Sequence, residues 1–322
     1  MKKEIWYSLI MVSILGGALV VALMDVPTGT SFRYEIKTFD SYEDLRSHIQ
    51  SRYMSCYLPS YYMPSAKPYA GKTSLENALD GGCNDFSKTN IQVEGVDEAD
   101  IVKTDGTYIY IIANNCLYII FAYPASDAEI LSKIEFSENL YLRELYIDND
   151  KVIVIAESWR MIDLYNDSKE ESSDYVDVIP YPISIPSTTI RIYDVSDRKN
   201  PELIKDVSID GYYFDSRMID GKVYLVSVEE SYYIFPTDSI INIPEIRIDD
   251  SVYKIPAEEI YYPDIPNTNA DSLTHIVAID INDGTFDEKS FLIDYSQNMY
   301  VSKDSIYITT IKYPVRPLLV SP

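Results

Sequence analysis

The sequence predicts an all-β fold: a β-propeller of four-stranded antiparallel blades, about three and a half of them, with an N-terminal transmembrane helix and a short amphipathic helix. Three observations predict it. First, a turn-and-strand cassette recurs, as Asp105-Gly106-Thr107-Tyr108-Ile109-Tyr110-Ile111-Ile112, Asp150-Lys151-Val152-Ile153-Val154-Ile155, Asp220-Gly221-Lys222-Val223-Tyr224-Leu225-Val226 and Asp304-Ser305-Ile306-Tyr307-Ile308-Thr309. Second, each of the first three copies is followed by another β-rich run, a turn and a third run, which is how a propeller blade is written. Third, Tyr occurs 30 times and Gly only 11 times, a bias toward strands with half-buried faces rather than flexible linkers.

The first unit is expected to place strands at 100–104, 108–113, 117–122 and 130–136, and the second at 142–147, 152–156, 190–194 and 203–209. The third runs through 214–219, 223–228, 275–280 and 291–294, and a fourth opens with 299–301 and 306–311. The first two cassettes lie 43 residues apart, within the ~40–45 residues of a blade. Later spacings are stretched by insertions at 157–187 and 229–271, acidic, Tyr-rich and without a sustained apolar period. Both leave after the second strand of a unit, so they should emerge on one face of the disc and mark a binding surface. Two strands of a fourth blade do not close a ring, and propellers remove their edges with roughly four to eight blades. The expectation is a chain that is part of a longer one.

Lys2 and Lys3 precede an apolar run from Ile5 to Met24, interrupted only by Tyr7, Ser8, Ser13, Gly16 and Gly17. Twenty helical residues rise about 30 Å, enough to span a bilayer core. With no A-x-A pattern at its end and no Cys after it, an uncleaved membrane anchor is favoured over a cleaved signal peptide or a lipid anchor. Either way the rest of the chain lies outside, in the cell membrane's extracytoplasmic space or secreted. The resulting domains are 1–24 as anchor or signal, 25–98 as a helix plus a Tyr/Pro-rich linker, 99–313 as the partial propeller and 314–322 as a tail. Ser41 and Asp44 form a capping box for the short helix, with Tyr42, Leu45 and Ile49 along one face.

Net charge is −24, which excludes a nucleic-acid partner because such a surface repels phosphate. It is compatible with cations, basic proteins or plain solubility.

The stretch Thr89-Asn90-Ile91-Gln92-Val93-Glu94-Gly95-Val96-Asp97-Glu98-Ala99-Asp100-Ile101-Val102-Lys103-Thr104-Asp105-Gly106 closely resembles the secreted β-propeller-domain proteins of archaea and bacteria, a family distantly related to WD40 repeats. Leu117 to Pro124, Ile192 to Asp197, Asp215 to Ile219 and Ile255 to Pro263 extend the resemblance, which covers about residues 38–313. It implies a signal or anchor followed by an extracytoplasmic propeller, in proteins about twice this length. It implies no activity and no catalytic residues.

Few constellations could carry chemistry. Glu94, Asp97, Glu98 and Asp100 form the densest carboxylate cluster, and Ca²⁺ takes six to eight oxygens of this kind. The competing account has these residues cap the entry to the first strand and pair with Lys103 or Arg217, the more usual fate of a charge run. Cys56 and Cys83 could form a disulfide in an oxidising compartment, leaving Cys116 over. Of the two histidines, His48 lies on the short helix and His275 begins a strand, and each is more often a satisfied residue than a metal ligand. No G-x-S-x-G elbow and no Gly-rich phosphate loop is present. The insertion tyrosines Tyr232, Tyr233, Tyr261 and Tyr262 are candidate ligand contacts, and Asn166-Asp167-Ser168 is a glycosylation sequon. The functional expectation is an extracytoplasmic binding or scaffold module without catalysis, taking a protein or glycan on the insertion face. Its rivals are a metal-assisted enzyme using the acidic cluster over the channel, and a purely structural envelope protein.

Overall fold

A computed structural model describes residues 6–15, 18–25, 35–56, 93, 95–162, 183–230, 242–264 and 272–312. Strands β1 (Trp6–Leu15), β2 (Ala18–Asp25) and β3 (Ile36–Thr38), helix α1 (Tyr42–Cys56) and strand β4 (Asp97–Glu98) come first. A first sheet follows, of β5 (Val102–Thr104), β6 (Tyr108–Ala113), β7 (Cys116–Phe121) and β8 (Glu129–Glu135). The second contains β9 (Leu140–Asp148), β10 (Lys151–Ile162), β11 (Ile183–Asp194) and β12 (Glu202–Asp210). The third is begun by β13 (Tyr212–Ile219) and β14 (Lys222–Glu230). The chain then makes β15 (Glu245–Ile248), β16 (Ser251–Lys254) and β17 (Ile260–Pro263) before completing that sheet with β18 (Ser272–Asp280) and β19 (Phe286–Ile293). The fourth sheet carries β20 (Ser296–Val301) and β21 (Ser305–Lys312).

The recurring cassette is a hairpin turn plus the strand it launches. Asn149, Asp220 and Gly221 occupy left-handed backbone, at φ 51°, 47° and 73°, as do Asn114 and Asn115 in the next hairpin of the first unit, at 49° and 56°. Asn, Asp and Gly tolerate that region, and tight hairpins require it. Along each strand alternate residues face opposite neighbours. Val152 and Val154 join Tyr110, Leu117 and Ile119 in a layer between the first and second sheets. Ile153 and Ile155 join Val223, Leu225 and Val277 between the second and third. Tyr224 and Val226 meet Ile306 and Ile308 between the third and fourth. The inner strands converge, since Asp100 bridges β9 at Leu145 while β4 pairs with β13. The sheets therefore fan about that edge. Arg198 staples the first two sheets at the turn end: it binds Asp150 (2.5 Å) and lies over the Tyr108 ring (5.1 Å). Tyr110 donates to Asp105 beside it (3.1 Å), and burial pushes that phenol up to about 12.

Two expectations are corrected. The apolar run at 5–24 is not a membrane-spanning helix: β1 pairs with β21, from Trp6 opposite Lys312 to Ser13 opposite Ser305, and β2 pairs with β1. Hydropathy does not separate a helix from two strands, and Gly16-Gly17 between the halves is a hairpin signal. Among the described residues no helix is long and apolar enough to cross a membrane. The fourth sheet is consequently four-stranded rather than half a blade, in the order β2-β1-β21-β20.

The second insertion is likewise not a free loop. Its β15–β16 hairpin pairs onto β12 and its β17 onto β19, with β3 beyond, so it covers the outer edges of the second and third sheets. Helix α1 docks there as its pattern predicts. Leu45 and Ile49 are buried with Phe39 against Ile255, Ala257 and Ile260, and Ser41 Oγ accepts the Asp44 N–H (3.2 Å). Tyr262 stacks on Phe39 at 4.4 Å and Tyr261 lies 5.7 Å from Phe291, so these two tyrosines are packed into the fold. Tyr232, Tyr233, the sequon, Cys83 and the Cys56 side chain lie outside the described residues. Cys116 is a buried free thiol.

Candidate functional site

The predicted carboxylate cluster is a strap across the inner sheet edges. Paired to β13 by Glu98 and Asp97 and to β9 by Asp100, it satisfies backbone groups that those edges would otherwise leave open. Lys103 reaches it from the first sheet, donating to Asp97 Oδ1 (2.9 Å), and its ammonium lies 5.8 Å from the Tyr146 ring centre. Arg217 binds Asp215 (2.5 Å) and approaches Glu98 (3.7 Å), and Asp100 accepts the Ile101 N–H (2.7 Å). Among the described residues no group of three or more His, Cys, Asp or Glu is arranged to hold a metal, and Glu94 lies outside them. Behind the strap runs a chain of hydroxyls. Tyr146 pairs with Ser216 (2.8 Å), Ser216 with Tyr213 (2.9 Å), and Tyr213 donates to Glu144 (2.7 Å). Burial raises both phenols far above their usual range, so their protons stay on oxygen to be donated.

A second polar network, not foreseen, occupies the insertion end of the layer between the second and third sheets. Asp210, fully buried, accepts from Arg160 (2.8 Å), Arg247 (3.1 Å), Asn242 (3.0 Å) and the Glu245 N–H (3.1 Å). Asn242 also meets Glu229, which faces His275 Nε2 at 3.4 Å, while His275 Nδ1 meets Ser290 Oγ at 2.6 Å and Ser290 donates to Glu288. Because Ser290 gives its proton to Glu288, its oxygen is left to accept from His275 Nδ1 rather than to donate to the imidazole. That polarity is opposite to an activated nucleophile, and all of Glu229, His275 and Ser290 are sealed from solvent. The sequence signal for this network was present but faint: Ser227, Glu229, His275 and Ser290 sit at inward positions of otherwise apolar strands. Gly211, at φ 104°, turns the chain here, and a Cβ on it would lie 3.0 Å from the Val228 carbonyl carbon.

Burial raises the carboxyls of both Glu229 and Glu288 above the ordinary range. A folded-state pKa above the unfolded value of ~4.3 means that the fold takes up a proton, so this contribution to stability falls as pH rises through that window. Glu288→Gln is therefore expected to melt above the parent at pH 8, with the gap closing toward pH 4. A gap that does not change with pH in thermal melts refutes this.

Above both networks, the strand register places both insertions at one end: β10 and β11 part there, as do β14 and β18. That end exposes Tyr141 (51%), Trp159 (42%), Met161 (59%), Tyr212 (44%) and Tyr295 (55%). The Tyr141 and Trp159 rings stand edge to face at 5.2 Å.

Sheets fanned in chain order around converging inner edges define the β-propeller class. Residues 86–317 match the Beta propeller domain family, and the chain belongs to it. An uncharacterized protein of Methanocaldococcus jannaschii is 31% identical over 226 residues, covering 69% of this chain and 29% of that protein. One of Archaeoglobus fulgidus is 26% identical over 306 residues, covering 86% of this chain and 42% of its own. The chain thus spans less than half the length of both relatives. No solved structure matches.

Proposed function

We propose that this protein is a non-catalytic recognition module that works outside the cytoplasm and holds a protein or glycan at the insertion-bearing end. The observation that carries it is the set of exposed aromatics there, Tyr141, Trp159, Tyr212 and Tyr295, on a base stiffened by two buried polar networks. Single exposed apolar residues are ordinary, but several at one end, beside long insertions, are the composition of a contact surface. The rigid base lowers the ordering cost of binding. Extracytoplasmic placement is supported by the strongly acidic composition.

Titration of the full chain against envelope glycans and proteins is expected to find one class that binds, with Trp159→Ala weakening it at least about tenfold, as interface aromatics do. Binding unaffected by Trp159→Ala and Tyr141→Ala together would remove this end as the site. Protease added to intact cells should cut the chain, and full protection would rule out the compartment.

A further inference from the structure

We propose that the buried chain Glu288–Ser290–His275–Glu229 is a proton-operated latch, which grips the second insertion while it keeps one extra proton and loosens it when that proton leaves. The geometry requires the proton. Three contacts make up the chain: Glu288 with Ser290, Ser290 with His275 Nδ1, and His275 Nε2 with Glu229 Oε1 at 3.4 Å. Each needs one hydrogen between its two atoms. The Ser290 hydroxyl supplies one and a neutral imidazole supplies a second, for either ring tautomer. With both carboxyls ionised, one contact has none, and two lone pairs would face each other where neither residue meets solvent. Because the Ser290 proton lies toward Glu288, that contact is the one between His275 and Glu229. A hydrogen on either of those two groups removes the conflict, and His275 Nε2 has no other hydrogen-bond partner among the described residues.

The surroundings carry the effect to the insertion. Glu229 lies on β14, His275 on β18, and Glu288 and Ser290 on β19. Asp210 faces Glu229 from β12, and Asn242 of the insertion donates to both carboxylates, at 3.0 Å and 3.4 Å. Arg160 from β10 and Arg247 from β15 reach Asp210, whereas Glu288 is faced by Lys289 and Glu259. Burial raises the Glu229 carboxyl and the Asp210 charge adds to it, against the pull of His275 and Asn242. Loss of the proton therefore sets like charges on either side of Asn242, the residue that ties the insertion to β12 and β14. Withdrawing Asn242 and admitting water relieves that repulsion. A carboxyl raised in the folded state gives stability that is full below ~4.3 and is lost as pH rises to the folded value.

Glu229→Gln tests this, because its amide hydrogen fills the empty contact without titrating and its carbonyl oxygen still accepts from Asn242. In chemical denaturation of the full chain, the variant is expected to gain on the parent about tenfold in folding equilibrium constant per pH unit between about pH 6 and 8, the slope for one retained proton. Amide protection of the parent across Glu245–Lys254, corrected for the intrinsic pH dependence of exchange, should fall over the same range, and that of Glu229→Gln should stay level. Ring-nitrogen NMR of the parent keeps the test open should the variant not fold. The chain has two histidines, and His275 Nε2 should carry or receive a hydrogen at pH 7. Equal pH slopes for parent and variant overturn the proposal, as does an Nε2 that reads as a free acceptor. So does a tenfold slope with unchanged protection at Glu245–Lys254, which would mean a stored proton that latches nothing.

Discussion

Asp210→Ala is expected to be the most damaging single polar substitution, lowering stability by about 3 kcal/mol, toward the low end for breaking a buried ion pair because its arginines are partly exposed. The carboxylate is fully buried and receives two guanidiniums, an amide and a backbone N–H. Among the described residues, Arg160 and Arg247 would then keep only Glu245, which lies 3.8 and 3.2 Å away, as a charge partner. On a chain of this size the loss is worth roughly 6 °C in Tm. The effect should also be local: Asn242, Glu245 and Arg247 belong to the insertion that covers β12, so amide exchange should rise first across Glu245–Lys254. Asp210→Asn, which keeps acceptor oxygen, should lose less. Uniform exchange across the chain, with no excess at β15–β16, would mean that Asp210 does not hold the insertion.

Tyr146→Ala is expected to cost about 3–5 kcal/mol, the range for deleting a buried aromatic ring. The residue is fully buried at the centre of the fan, under Lys103 and against Ser216. Tyr146→Phe keeps the ring and removes only the hydroxyl, so about 1 kcal/mol should go, the net worth of one hydrogen bond. Chemical denaturation of both variants separates the two contributions. Equal losses would show that the hydroxyl chain, not the packing, fixes the inner edges.

Local patterns made much of the fold legible. The Asp105-Gly106 and Asp220-Gly221 turns place β6 and β14 within a residue or two, the Val152 to Ile155 run places the start of β10 although that strand continues six residues past the expected 156, and the Ser41–Asp44 cap places α1. What was hidden depends on partners far away in sequence. The run at 6–25 becomes strands because β21, nearly the whole chain distant, offers it an edge. β15 has only two inward apolar residues, Ile246 and Ile248, too few to announce a strand until β12 is beside it. The pairing of the acidic segment at 97–100 with Lys103 and Arg217 is readable from charge alone, whereas its place as a strap across three sheet edges appears only when β5, β9 and β13 meet. The cluster of Glu229, His275 and Ser290 draws one residue from each of three strands, a convergence that spacing along the chain does not encode.

The pairing of Trp6–Leu15 with Ser305–Lys312 has a consequence for synthesis. Strand β1 must wait for a partner made about 300 residues later. At roughly 5–20 residues per second the delay for some 300 residues is ~15–60 s. Through that interval a greasy hairpin is available to chaperones, to translocation machinery or to another nascent chain. Whichever captures it first decides whether the fourth sheet is finished with four strands or left with two.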